Sequence, residues 1–145
     1  MPSVFSRIIA GSIPGRFVWA DESCVAFATI APITPGHMLV VPRLEVPQFT
    51  AAADDLLARL MSVAKAVGRA CELAFDAPRA ALLIAGFEID HLHLHVLPAW
   101  GEAELTFENA KPASDAELDT ACEQIRSALI ELGYGAQVPA DMYHI

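Results

Sequence analysis

Three of the chain's five histidines fall in one short run, Asp90-His91-Leu92-His93-Leu94-His95-Val96-Leu97-Pro98. They alternate with Leu92, Leu94 and Val96. In an extended strand, residues i, i+2 and i+4 share a face, so this pattern predicts three imidazoles in a row with the aliphatic residues entering a core. Imidazole is the side chain whose ordinary pKa lies closest to neutrality. A row of such rings on a rigid strand suits nucleophilic or acid–base chemistry.

Geometry sorts the chemistries that such a row could perform. Metal ligands converge on an ion at about 2 Å, whereas a rise of about 3.3 Å per residue puts the backbones of His91 and His95 roughly 13 Å apart. All three cannot easily share one ion from a straight strand. Two of them could, joined by His37 or His144, with Asp90 as a carboxylate; such a metalloenzyme would lose activity to chelators. In covalent catalysis the middle ring, His93, has a neighbour about 6–7 Å away on each side. That leaves room for a phosphate or acyl group, with flanking imidazoles as donors. Imidazole Nε2 attacks phosphorus well, and the phosphoramidate formed hydrolyses, so one hard displacement becomes two easier ones. A pocket that binds without turnover, and plain structural histidines, are the other readings. The alternation gives covalent catalysis the most weight.

Composition bounds what surrounds the row. The chain has 145 residues, 54% of them apolar, enough for one domain with a substantial core. No apolar run approaches the roughly 20 residues that span a bilayer, and the first seven residues lack the basic-then-apolar pattern of a secretory signal. The chain reads as soluble and cytosolic, with no membrane partner. Eighteen acidic against nine basic residues give a formal charge of −9. This opposes nucleic acid as a partner, because that binding depends on Lys and Arg neutralising phosphates. A small anionic ligand held by local donors stays open. Cys24, Cys71 and Cys122 are odd in number and widely spaced, which suits reduced, buried thiols.

The elements that must position the histidines can be read from periodicity. Val4, Phe5, Ile8 and Ile9 predict a helix over residues 4–10, with Ser3 as N-cap and Gly11 as stop. Residues 16–20 and 23–30 read as a hairpin turning at Asp21-Glu22. Residues 37–42 form the next strand after Pro32, Pro35 and Gly36. The strongest helix covers 52–75, with a stripe of Leu56, Leu57, Leu60, Met61, Ala64, Val67 and Cys71. Gly68 within it costs about 1 kcal/mol against Ala, which marks a close packing contact. A strand over 79–85, a turn over 86–89 and the histidine strand over 90–97 follow. A second helix over 114–132 opens on a capping box of Ser114 and Glu117; Leu118, Ala121, Cys122, Ile125, Leu129 and Leu132 form its stripe. Residues 138–145 read as extended. Two adjacent strands after one long helix indicate an α+β fold, in one domain over 1–145 with a core at about 3–98.

The residues also carry a resemblance. His91-Leu92-His93-Leu94-His95-Val96-Leu97 resembles the signature of the histidine triad (HIT) family of nucleotide hydrolases and transferases. Val4-Phe5, Ile8-Ile9 and Ile13-Pro14 are similar to that family's opening helix and turn. Ala26-Phe27 and the run from Pro32 through Pro35-Gly36-His37 to Val40-Val41-Pro42 resemble its next strand–turn–strand. The resemblance covers about residues 3–98, in the family's order. It implies a HIT-like α+β fold with a five-stranded antiparallel sheet, paired as a homodimer through the long helix and a strand. It also implies attack on the α-phosphorus of a nucleoside 5′-phosphate derivative, without a metal or other cofactor. Carried over, His93 matches the nucleophile, His91 orients it through its carbonyl, His95 contacts phosphate or leaving group, and His37 completes the cluster. Val4, Phe5, Ile8, Phe27, Ile30 and Leu39 match positions around base and ribose, although plain core packing also accounts for these six.

Three departures qualify the resemblance. The ribose-binding acidic position falls on Thr29, which cannot accept from two hydroxyls as a carboxylate can. The polar positions before the triad fall on Phe87 and Glu88, and a carboxylate beside a phosphate repels it unless it points away. The loop over 86–90 is also short. These make dinucleoside polyphosphates a poor fit and favour a nucleoside phosphoramidate of the adenosine type. They equally motivate the alternative, an AMP-binding regulatory module with little turnover. The helix over 114–132 lies outside the resemblance and could cover the site, extend a dimer or pad the core.

Overall fold

The apolar runs of the first half become three neighbouring strands, β1 (Phe17–Ala20), β2 (Cys24–Ala28) and β3 (Met38–Pro42). Nearly every residue in them is buried, because both faces of this part of the sheet are covered. The computed structural model describes residues 1–145 and adds β4 (Arg79–Leu83) and β5 (Leu94–Ala99). The five strands form one antiparallel sheet in the order β1-β2-β3-β5-β4. With three α-helices, this is the expected α+β fold.

The two faces are covered unequally. One packs against α2 (Asp54–Phe75) and α3 (Asp115–Glu131), forming a cluster that includes Val18, Cys24, Ala26, Met38, Val40, Leu92, Leu94 and Val96. The other carries a smaller cluster, Phe5, Phe17, Val25, Phe27, Leu39 and Val41, beneath the six-residue helix α1 (Val4–Ile9). The alternation of the histidine run decides the rest. Because Leu94 and Val96 face α2, His95 between them faces the α1 side. His95 therefore stands on the thinly covered face.

Several local readings hold in detail. Ser3 caps α1 by accepting from the Ser6 N–H, and Gly11 takes φ +86 after it. Ser114 and Glu117 form the capping box of α3. A Cβ on Gly68 would stand 3.2 Å from Ala80 Cβ, so the glycine does permit a close approach of α2 to β4. Cys24, Cys71 and Cys122 are all free and buried. No helix is long and apolar enough to cross a membrane. Of the roles open to α3, packing is the one observed: Cys122, Ile125 and Leu129 complete the core on the α2 side.

Other readings need correction. Strand β5 begins at Leu94, not at residue 90, because the preceding backbone leaves the ladder; the Leu92 N–H donates to the Val46 carbonyl instead. Met61 is half exposed, since it lies just past the edge of the arc that turns Leu60, Val63 and Val67 inward. Residues 138–145 do not run out as a strand. They fold back through a single bridge between Asp141 and His144 and seal the edge of β1, where the Phe17 N–H donates to the Met142 carbonyl. Arg126 clasps the Phe17 and Pro139 carbonyls together there. A bulge between Phe17 and Trp19 turns both Val18 and Trp19 toward the large cluster.

Candidate active site

His37 and His95 arrive from adjacent strands. His37 immediately precedes β3, and His95 pairs with Leu39 across the β3–β5 ladder. Their rings meet with His37 Nε2 and His95 Nδ1 3.0 Å apart. The backbone N–H of Ile33 donates to His37 Nδ1 at 3.0 Å, and that contact assigns the protons. His37 Nδ1 must be the bare nitrogen, so Nε2 carries the hydrogen and gives it to His95 Nδ1. The proton of His95 is then on Nε2.

His93 has the opposite tautomer. Its Nδ1 lies 2.7 Å from the His91 carbonyl, an acceptor only, so Nδ1 holds the proton and Nε2 is left with its lone pair. The His93 and His95 ring centroids are 5.0 Å apart. No buried side-chain nitrogen or oxygen in the structure lacks a partner. Neither His93 Nε2 nor His95 Nε2 has a hydrogen bond within the protein, so both open to solvent. One face thus presents a bare imidazole nitrogen beside an N–H.

Burial keeps the cluster neutral. Desolvation, helped by the neighbouring His95, pushes His37 down to about 3. Desolvation and His93 push His95 down to about 4. His93 is also lowered from the ordinary histidine value, chiefly by desolvation, while the His91 carbonyl and the Glu88 carboxylate act in the opposite sense. The consequence for stability has a definite sign. The unfolded chain takes up protons on these rings near pH 6.5, whereas the folded chain resists until near pH 4 or below, so stability falls as pH drops through that window. With a discount for the partial exposure of His95, unfolding in urea at pH 5 should cost roughly 1–3 kcal/mol less than at pH 7. His37→Gln should shrink that difference. An unchanged difference would place the proton uptake elsewhere.

The other expected site residues separate. Phe5 packs edge-on to both His91 and His93, with centroids at 5.7 and 4.9 Å. Phe27 and Leu39 are buried beneath it, and Val4 and Ile8 are partly exposed at the rim. Ile30 stands apart, 72% exposed and in neither cluster, because it tops the turn before β3. Thr29 Oγ1 accepts from the Ala31 N–H at 3.3 Å. His91 corrects the expected row of three rings. Its side chain is fully buried, with Nε2 on the Pro42 carbonyl and Nδ1 on Ser3 Oγ, so it cannot flank a ligand. His144 pairs with Asp141 on the tail and does not join the cluster. Phe87 projects into solvent at 97% exposure.

One neighbour of the site escaped the sequence reading. Phe107, half exposed, lies edge-on to His95 with centroids 4.9 Å apart. It is held by a strap of two short 3-10 turns, Glu102–Glu104 and Phe107–Asn109. The strap rejoins the turn before β3 through the Lys111 N–H to Pro32 and the Ala113 N–H to Ile30. Its only sequence signal is one aromatic among acidic and polar residues. A surface groove of about 570 Å³ between α2 and α3 contains no histidine, and its carboxylates, Asp119, Glu123 and Glu131, disfavour a phosphate.

An antiparallel sheet with a hydrogen-bonded histidine cluster on its open face defines the class of histidine-triad proteins. The sequence profile of the HIT domain matches residues 10–101, and the chain belongs to that family. An uncharacterized HIT-like protein of Methanocaldococcus jannaschii is 33% identical over 129 residues, covering 85% of this chain and 98% of that protein. A hypothetical histidine triad nucleotide-binding protein of Sulfolobus tokodaii superposes with a TM-score of 0.78 at 30% identity, covering 88% of this chain and 92% of that one. A zinc-bound histidine triad protein of Mycobacterium smegmatis gives a TM-score of 0.78 at 26% identity, covering 91% and 96%.

Proposed function

We propose that the protein hydrolyses nucleoside monophosphate conjugates, of the adenosine phosphoramidate type, through a nucleotidyl group carried on His93. The observation that carries this reading is the pair of opposed tautomers. His93 Nε2 offers a lone pair, and His95 Nε2–H, beside it, offers a hydrogen bond to a phosphoryl oxygen. The name of the Sulfolobus tokodaii protein, nucleotide-binding, agrees with a nucleotide as the ligand.

In the first step His93 Nε2 forms a bond to the α-phosphorus and the phosphorus–nitrogen bond to the leaving amine breaks, the amine taking a proton from solvent. Water then attacks the phosphorus, the bond to Nε2 breaks and its electron pair returns to the ring. AMP leaves, and the proton released goes back to solvent. A pKa of about 4 makes His95 a hydrogen-bond donor at neutral pH rather than a source of protons. Val4, Phe5 and Ile8 serve as the wall for the base, with Phe27 and Leu39 supporting them. The open edge of β4, with half-exposed Leu82, suits pairing with a second copy.

Intact-mass spectrometry after acid-free quenching with adenosine phosphoramidate tests this reading. An added adenylyl mass, with AMP release, is expected. Tight AMP binding with neither adduct nor AMP release would instead favour a regulatory binding module. The ribose contact has its own test. Thr29→Asp should tighten AMP binding about 3–10-fold, the scale of one ordinary net hydrogen bond, measured by calorimetry. No change would put the ribose elsewhere.

A further inference from the structure

The start of α1 and the histidine run meet in one hydrogen-bonded knot. Ser3 Oγ lies 2.6 Å from His91 Nδ1, and His91 Nε2 lies 2.8 Å from the Pro42 carbonyl. A carbonyl only accepts, so in the neutral ring Nε2 holds the proton and Nδ1 receives the Ser3 hydroxyl hydrogen. The same oxygen accepts from the Ser6 N–H at 3.0 Å, capping α1. The Ser3 N–H in turn donates to Glu45 at 2.5 Å. Ser3 therefore does two things with one hydroxyl: it starts a helix, and it fixes a ring 88 residues away.

That ring is the one whose backbone matters most. The His91 carbonyl holds the proton on His93 Nδ1, and it sits between two anchors, the ring bonds to Pro42 and Ser3 on one side and the Leu92 N–H to Val46 on the other. Because β5 starts only at Leu94, no ladder bonds hold residues 91–93 in place. The side-chain knot substitutes for the missing ladder.

We propose that Ser3 is a positioning residue of the His93 site, giving its hydroxyl proton to His91 Nδ1 and so fixing the carbonyl that sets the His93 tautomer. Glu45 completes the knot by anchoring the Ser3 backbone. The catalytic part of this inference rests on His93 being the nucleophile; the tautomer part does not.

Capping and proton donation can be separated by chemistry. Aspartate caps a helix about as well as serine, but its carboxylate has no proton to give. Because a new carboxylate would stand beside Glu45, the variant Ser3→Asp/Glu45→Gln is compared with Glu45→Gln alone, and Ser3→Thr serves as the rescue. Nitrogen-15 NMR of the imidazoles reads the tautomers directly. In the native chain and Ser3→Thr, His93 should be a single Nδ1–H tautomer and His91 a single Nε2–H tautomer. In Ser3→Asp/Glu45→Gln, the His91 proton should move from Nε2 to Nδ1, where the carboxylate accepts it, so the ring gives up the Pro42 carbonyl and His93 should show mixed tautomers. The kcat should fall about 10–30-fold relative to Glu45→Gln, with KM within about threefold, the pattern of a group acting through the nucleophile rather than on binding. Native tautomers and native kcat in the aspartate variant would overturn the proposal and leave Ser3 as a cap. Altered tautomers in a chain whose native form shows no turnover would keep the knot and overturn the hydrolase reading instead.

Discussion

Replacing His93 with alanine should lower turnover of an adenosine phosphoramidate by at least about three orders of magnitude, the scale seen when a catalytic nucleophile is removed, while AMP affinity stays within a few-fold. The asymmetry follows from the proton assignment. Of the two open nitrogens, only His93 Nε2 has a lone pair; His95 Nε2 carries the hydrogen that Ile33 and His37 dictate. With His93 gone, His95 cannot take over the attack without breaking its bond to His37. In the proposed scheme, binding draws mostly on other groups: the rim of Val4 and Ile8, Phe5, and the His95 N–H. Single-turnover kinetics and calorimetry with AMP measure the two halves separately. A variant retaining more than about a tenth of native turnover would mean that water attacks phosphorus directly and that His93 only lines the site.

The alternation of the histidine run was legible, and it led to the right face. Leu92, Leu94 and Val96 are inward as period two requires. Periodicity could not show where hydrogen bonding to neighbours stops, so it extended β5 through His91 and lined up three rings where two are open. What turns the third ring inward is Ser3 and Pro42, partners far away in sequence. The same distance hid Phe107 and the folded tail, since each is placed by contacts across the fold rather than by local pattern. Local signals fared better. The Ser3 cap, the Ser114–Glu117 box and the Gly68 contact were all readable because their physics spans a few residues or one missing side chain. Ile30 matches only in sequence position: the turn before β3 leaves it exposed and outside both apolar clusters.

Gly36→Ala should destabilise the fold by about 2–5 kcal/mol and impair the site with it. Gly36 has φ +93, and a Cβ there would run into Cε2 of Phe75. A left-handed conformation costs a non-glycine residue about 1–2 kcal/mol, and overpacking typically adds about 1–3 kcal/mol. For a domain of this size the melting temperature should drop by roughly 6–15 °C. Gly11→Ala provides the control, because Gly11 has φ +86 with nothing within 4 Å of its Cβ, so it bears the backbone cost alone. The difference between the two variants isolates the Phe75 contact, and Phe75→Leu should recover part of it in the Gly36→Ala background. The damage should also reach the chemistry. Gly36 leads directly into His37, and its turn is tied to β5 by Thr34 Oγ1 donating to the Pro98 carbonyl at 2.7 Å. If the turn shifts by the roughly one ångström that ordinary contact with Phe75 demands, the bond from His37 to His95 lengthens and the His95 N–H loses the partner that fixes its tautomer. Turnover measured well below the melting point should therefore fall in Gly36→Ala but not in Gly11→Ala. Equal melting temperatures would show that the Phe75 ring yields freely; lost stability with full turnover would show that His95 holds its tautomer without His37.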